Sequence, residues 1–145
     1  MRKIRIVDLN NKNPLDYSSG GVGFTTYYEN KALVDHGLDV ITVCYSNKNF
    51  IKKTEMGKII SIKVPNNEFL KILTYSLKAA LIAKRLNPDI ILGEGPGNLG
   101  ASLVASLIKD KKTLHIERAH GTHKELINSI PKKTLHTKIY ISKRE

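Results

Sequence analysis

Ile4-Arg5-Ile6-Val7-Asp8-Leu9 is an apolar run interrupted by Arg5, and Ser18-Ser19-Gly20-Gly21-Val22-Gly23 follows it. The first stretch reads as a buried strand and the second as the loop that leaves it. About a hundred residues on comes Arg118-Ala119-His120-Gly121-Thr122-His123, directly after the fifth predicted strand. In an open parallel sheet, the loops at the carboxyl ends of the strands line one crevice, and ligands bind there. Two patches far apart in sequence are therefore expected to face one site.

The intervening chain supports such a sheet. Helical spacing runs from Phe24 to His36, through Tyr27, Tyr28, Ala32 and Leu33, and Gly37 is well placed to stop it. Asp39–Cys44 and Lys58–Val64 are β-rich. Phe69–Leu86 is the longest helical candidate, closed by Asn87-Pro88. Asp89–Leu92 reads as a fourth strand, Asn98–Ile108 as a helix, Thr113–Ile116 as a fifth strand and Ile139–Ile141 as a short sixth. This alternation predicts one α/β domain over residues 1–145. The expected form is a Rossmann-like, doubly wound, mostly parallel sheet of about six strands, with helices on both faces.

With 145 residues, 41% hydrophobic and 26% charged, the chain can bury a core without disulfides or metals. Its single cysteine, Cys44, has no internal partner, which suits a reducing compartment. No apolar run approaches the roughly 20 residues a membrane-spanning helix needs. The N-terminus enters a strand at once, with no room for a signal peptide's apolar segment. The expected location is the cytoplasm.

The net charge is +11 and unevenly spread. Between Lys48 and Arg85, nine basic residues stand against Glu55 and Glu68. Such a field draws nucleic acid, anionic lipid and phosphorylated ligands alike, and it also fits a plain solvated face. In Phe69–Leu86, Lys71, Lys78 and Arg85 recur every seven residues beside a stripe of Leu70, Leu73, Leu77 and Leu81. The expectation is that the stripe packs on the sheet and the basic residues stay in water. A basic amphipathic helix can also lie on an anionic membrane surface.

Gly20, Gly21 and Gly23 permit close backbone approach, and before a helix starting near Phe24 their amides could face a phosphate. Thr25 and Thr26 could add hydroxyl donors. The spacing is not the dinucleotide fingerprint, because Thr26 stands where a third glycine belongs. Nor does an acidic residue end the second strand, and no phosphate-loop lysine motif is present. A tight turn that needs glycine for its geometry fits the same residues.

In the second patch, His120 could bond a sugar hydroxyl or a phosphate, or move a proton near neutral pH. Gly121 opens space beside it, Thr122 adds a hydroxyl, and Arg118 offers a fixed cationic fork to an anion. His123 fits a surface or helix-capping role. No zinc pattern surrounds these histidines, and no metal is expected. His36, His115 and His136 lack supporting context. In Gly93-Glu94-Gly95-Pro96-Gly97, Glu94 could accept hydrogen bonds from hydroxyls or act as a base. It could equally neutralise Arg118.

Taken in order, four stretches resemble the N-terminal domain of GT-B glycosyltransferases of the family 4 type. They are Gly20-Gly21-Val22-Gly23, the helix running through Lys31-Ala32-Leu33-Val34-Asp35-His36-Gly37-Leu38-Asp39-Val40, Asn87-Pro88-Asp89-Ile90-Ile91, and His120-Gly121-Thr122. The resemblance spans almost the whole chain. It implies the acceptor-binding half of a retaining glycosyltransferase that needs no metal, with the Gly20–Gly23 loop near the donor's phosphates and His120 beside the transferred sugar. The nucleotide-sugar is then a substrate, held chiefly by a C-terminal domain or partner chain, and residues 1–145 alone are expected to lack most of the activity.

Glu94 departs from that family's usual histidine near the end of strand four, leaving acceptor choice open. Some members work at membranes on lipid-linked acceptors, which suits the basic stretch and a peripheral place at the inner membrane face. The alternative is a non-catalytic module for an anionic glycan, lipid or protein partner. Nucleic-acid binding ranks last, since no aromatic-interleaved basic patch or helix-turn-helix signature is present.

Overall fold

The computed structural model describes residues 2–10, 12–16, 20–94, 99–108 and 112–118. The expected strand Ile139–Ile141 and the patch from Ala119 to His123 lie outside these residues. In chain order the elements are β1 (Arg5–Leu9), α1 (Gly20–Asp35), β2 (Asp39–Ser46), β3 (Phe50–Thr54), β4 (Gly57–Lys63), α2 (Glu68–Leu86), β5 (Ile90–Glu94), α3 (Leu99–Ile108) and β6 (Leu114–Arg118). The six strands form one sheet in the order β3-β4-β2-β1-β5-β6. Every neighbouring pair is parallel except β3 with β4. This is the expected Rossmann-like α/β fold, and its strand order reverses at β1, the place where such sheets open a crevice.

Parallel strands buried on both faces need apolar residues in succession, and alternate residues of β1 supply both faces. Val7 and Leu9 join Ile41, Val43, Ile62 and Ile91 in a core closed by Tyr75, Ala79 and Ala83 of α2 and Ala105 of α3. On the other face, Cys44, Met56 and Ile59 form a smaller cluster with Tyr27 of α1 packed against it. Each fully buried Val, Leu or Ile contributes about 1.5–3 kcal/mol relative to exposure.

Strand β3 is an addition to the sequence reading. Phe50-Ile51-Lys52-Lys53-Thr54 has no apolar alternation because it is an edge strand with an exposed middle. Its lysines also guard the edge against pairing with another chain. A two-residue loop, Glu55-Met56, joins it to β4. Gly57 closes that hairpin at φ +103°, where a Cβ would lie 2.3 Å from the Val40 carbonyl oxygen.

Helix α1 begins at Gly20 rather than near Phe24, so the glycines are its first turn and not a loop before it. Gly37, at φ +85°, ends it as expected: Leu38 N–H donates to Leu33 O (3.1 Å) and Gly37 N–H to Val34 O (2.8 Å). Asn87 ends α2 in the left-handed conformation ahead of Pro88. At the other end of α2, the Asn67 side chain accepts from Leu70 N–H (3.1 Å).

The packing of α2 overturns one expectation. Its buried residues are Tyr75, Ser76, Ala79, Ala80 and Ala83, while Leu70, Leu73, Leu77 and Leu81 are 45–55% exposed. Small side chains let the helix approach the sheet and α3 closely. The larger leucines are left on the outside.

Candidate functional site

The carboxyl end of β1 is built around a buried carboxylate. Asp8 lies on the α1 face in register with Thr42 of β2, and it is fully buried. The stripe that α1 turns to the sheet is Gly23, Thr26 and Asn30, which is polar where an apolar one is usual. Asn30 Nδ2 donates to Asp8 Oδ2 (2.6 Å) and to Thr42 Oγ1 (3.0 Å). Arg118, the last residue of β6, donates from Nη2 to Asp8 Oδ1 (2.9 Å) and from Nη1 to Glu29 of α1. An ionised carboxylate is tolerated inside a protein only when paired and hydrogen-bonded, and this one is both.

The exit from β1 is pinned as well. Asn10 N–H donates to Val43 O (2.8 Å), and the Tyr75 hydroxyl lies 2.7 Å from Asn10 O and 2.8 Å from Val43 O. Asn10 Nδ2 donates to Thr26 Oγ1 (2.9 Å), and that hydroxyl donates to Val22 O (2.9 Å). Thr26 thus fixes the start of α1 from within and does not face outward as a ligand donor.

The consequence falls on Gly20, Gly21, Val22 and Gly23. These are the first four residues of α1; Gly20, Gly21 and Val22 stand where a helix start leaves N–H groups without an intrahelical acceptor, while Gly23 lies on the stripe turned to the sheet. Gly20 has φ +65°, and a Cβ on Gly20 or Gly21 would meet nothing within 4 Å, so the approach is open. Exposed Phe24 and Tyr28 lie next along the helix with ring centroids 4.6 Å apart. The unsatisfied donors and the helix dipole suit an anion, and the rings suit a sugar face or a base.

Arg118 is the last residue of β6 rather than part of a loop after it, and two carboxylates already answer its charge. Glu94 ends β5 opposite Arg118 in the strand register. Asp8 and Glu29 are acidic partners of Arg118. His120, Gly121 and Thr122 follow β6 in the chain and lie outside the described residues.

Other titratable groups stand apart from this end. His115 is buried on the opposite face, its Nδ1 at hydrogen-bond distance from Ser106 Oγ and its Nε2 3.2 Å from Glu117 Oε1. That arrangement ties α3 to β6. Burial pushes the Cys44 thiol up to about 12, only partly opposed by a hydrogen bond with Ser61, so the thiol is no nucleophile. Among the described residues, no group of three His, Cys, Asp or Glu is placed to hold a metal ion.

Sequence reasoning missed Asp8, Glu29 and Asn30. Asp8 left a visible signal, a charge inside an otherwise apolar strand. Glu29 and Asn30 left none, because their roles depend on which stripe of α1 meets the sheet.

No protein-family model and no curated protein matches the sequence. Solved structures do resemble the fold. A sucrose-phosphate synthase from Thermosynechococcus elongatus superposes with a TM-score of 0.66 over 92% of this chain and 37% of its own, at 11% identity. What is shared is the Rossmann-like α/β fold. A protein described as a UDP-N-acetylglucosamine 2-epimerase from Listeria monocytogenes gives a TM-score of 0.56 over 81% of this chain and 31% of its own, at 13% identity. The chain therefore spans about a third of the length of each of these proteins.

Proposed function

We propose that this chain is the acceptor-side domain of a retaining, family 4-type glycosyltransferase that uses a nucleotide-sugar. One observation carries the reading. Arg118, at the end of the strand that runs into His120-Gly121-Thr122, is joined to Asp8 of β1 and to Glu29 of α1, the helix that starts at the glycine patch. This supports reading the two patches, with their sugar and phosphate chemistry, as parts of one site.

In the proposed reaction, the bond from the sugar's anomeric carbon to the donor phosphate oxygen breaks, the acceptor oxygen bonds to that carbon on the same side, and the acceptor's proton passes to the departing phosphate oxygen. Negative charge grows on the departing phosphate. The N–H groups of Gly20, Gly21, Val22 and Gly23 stabilise it, as preorganised donors do where charge develops. His120 stands beside the transferred sugar with Gly121 and Thr122, and Glu94 accepts from acceptor hydroxyls. Arg118, already paired, acts by holding β6 against α1. The donor is held mainly by a second, donor-binding domain.

The test is to combine the chain with a donor-binding domain and follow transfer from UDP-sugars to a panel of acceptors. His120→Ala should cut turnover by about 100-fold, the scale of one lost acid–base or polar contact, with the circular dichroism spectrum unchanged. Undiminished turnover in that variant removes His120 from the site. Sugar binding without any turnover favours a non-catalytic glycan-binding module.

A further inference from the structure

Helices α2 and α3 pack against each other, but beside the amino ends of β5 and β6 they leave a cavity of about 280 Å³. It lies at the end of the sheet away from the glycine patch and Arg118. Its floor is Ala83 of α2, Ile91 of β5 and Ala105 of α3, with Ile108 at the side. These first three residues are only 1–2% exposed, so the cavity reaches down to the core.

The mouth is polar, formed by Lys84, Asn87 and Thr113. Thr113 Oγ1 already donates to Pro88 O (3.0 Å). Two carbonyls that end α2 are answered as well. Asn87 N–H donates to Lys84 O (3.2 Å), and Arg5 Nη1 donates to Leu86 O (2.9 Å). What remains without a partner among the described residues is the Lys84 ammonium and the Asn87 carboxamide. No acidic residue is among those lining the cavity.

This division of floor and mouth selects a kind of occupant. A buried water needs two to four polar partners, and the aliphatic floor offers it none. An apolar cavity of about 150 Å³ is enough to take a benzene ring, so this one has room for a ring and a short polar head. Burial of the ring against Ile91, Ile108 and the two alanines supplies affinity, and the few polar groups at the mouth fix orientation. A carboxylate there takes charge-assisted hydrogen bonds from Lys84 and a further one from Asn87 Nδ2. An amine head would meet the like charge of Lys84.

We propose that the cavity between α2 and α3 is a binding site for a small organic acid with an apolar body. The inference goes beyond the glycosyltransferase reading and does not rest on it, since binding is read without donor or acceptor. The test is a nitrogen–proton NMR titration of the full chain with phenylacetate, and in parallel with the uncharged phenylethanol. Phenylacetate should move the amides of Ala83, Lys84, Asn87, Ala105 and Thr113 saturably, with a dissociation constant of about 1 mM for so small a ligand. Ala105→Leu fills the cavity and should abolish those shifts with the circular dichroism spectrum unchanged. Lys84→Gln, at an exposed position that the fold does not need, should weaken phenylacetate about fivefold and leave phenylethanol unaffected. Amides that stay unmoved in excess phenylacetate overturn the proposal, as do shifts centred on the first turn of α1 instead. Equal affinity for the acid and the alcohol, or unchanged phenylacetate binding in Lys84→Gln, overturns it too.

Discussion

Successive residues of β1 enter two different environments. Val7 and Leu9 go into a core of aliphatic side chains, Tyr75 and alanines, whereas Asp8 between them meets Asn30 and Arg118. The apolar face supplies stability that depends on volume and tolerates repacking. The polar face depends on geometry, since each hydrogen bond that is missing there leaves a desolvated group. The contrast is also local. Towards β4 the same α1 face turns apolar at Cys44, Met56 and Ile59, so its ion pair belongs to the β1–β6 end where the crevice opens. Volume-dependent packing and geometry-dependent polar pairing thus fall on different sides of one sheet.

That assignment can be broken most sharply at Asp8. Asp8→Ala should cost about 3–5 kcal/mol, the range for removing one member of a buried ion pair, as read by urea unfolding. The double change Asp8→Leu with Arg118→Met should recover much of that stability while loosening α1 around Glu29 and Asn30. A single Asp8→Ala cost below about 1 kcal/mol would make the pair a surface interaction and erase the contrast. On the opposite face, Leu9→Ala should cost about 2–5 kcal/mol by cavity formation. Unlike Asp8→Ala, it should leave the amide environments of Glu29 and Asn30 unaltered in a nitrogen–proton spectrum.

Glu29 is half-exposed, so Glu29→Ala should cost no more than about 1 kcal/mol, the usual scale for a solvent-screened pair. A larger loss would show that Glu29 shares the buried character of Asp8. Reagent access sharpens the comparison further: with its thiol pushed up to about 12 by burial, Cys44 should resist iodoacetamide until the protein unfolds. Rapid labelling under native conditions would mean that the α1 face opens readily.

The smallest effect concerns acid. Asp89 joins β5 to β1, and its carboxyl is held below the usual range chiefly by the Arg5 backbone N–H, with Arg2 and Arg5 adding charge and partial burial opposing. Its folded pKa is depressed, so its stabilisation is complete above the unfolded value of about 3.9 and is lost as pH falls through the folded value. The stability difference between the parent and Asp89→Asn should therefore shrink as the solution is acidified below that range. A difference independent of pH would contradict the assignment.

Much of the fold was legible because β1, β2, β4 and β5 are apolar runs between clear helix stops such as Gly37 and Asn87-Pro88. Strand β3 was not, since an edge strand with an exposed Lys52-Lys53 pair carries no buried-strand signal. For α2, hydrophobicity pointed to the leucines, but close packing against α3 and the sheet selected the alanines. The sequence holds both stripes, and only the distance between layers decides which goes inward. Near the carboxyl ends of the strands, the glycine patch and Arg118 stood out in the sequence, and the structure puts one in the first turn of α1 and the other at the end of β6. The partners of Arg118 could not, because they follow from the rotation of α1 about its axis.

The central claim is that the open start of α1 is where the donor's phosphates approach. Its most direct test is a nitrogen–proton NMR titration of the chain with UDP-N-acetylglucosamine, alongside UDP alone. Progressive shifts at the amides of Gly20, Gly21, Val22 and Gly23, shared by both ligands, are the predicted result. Saturating ligand that leaves those four amides unmoved, or shifts confined to α2, would contradict it.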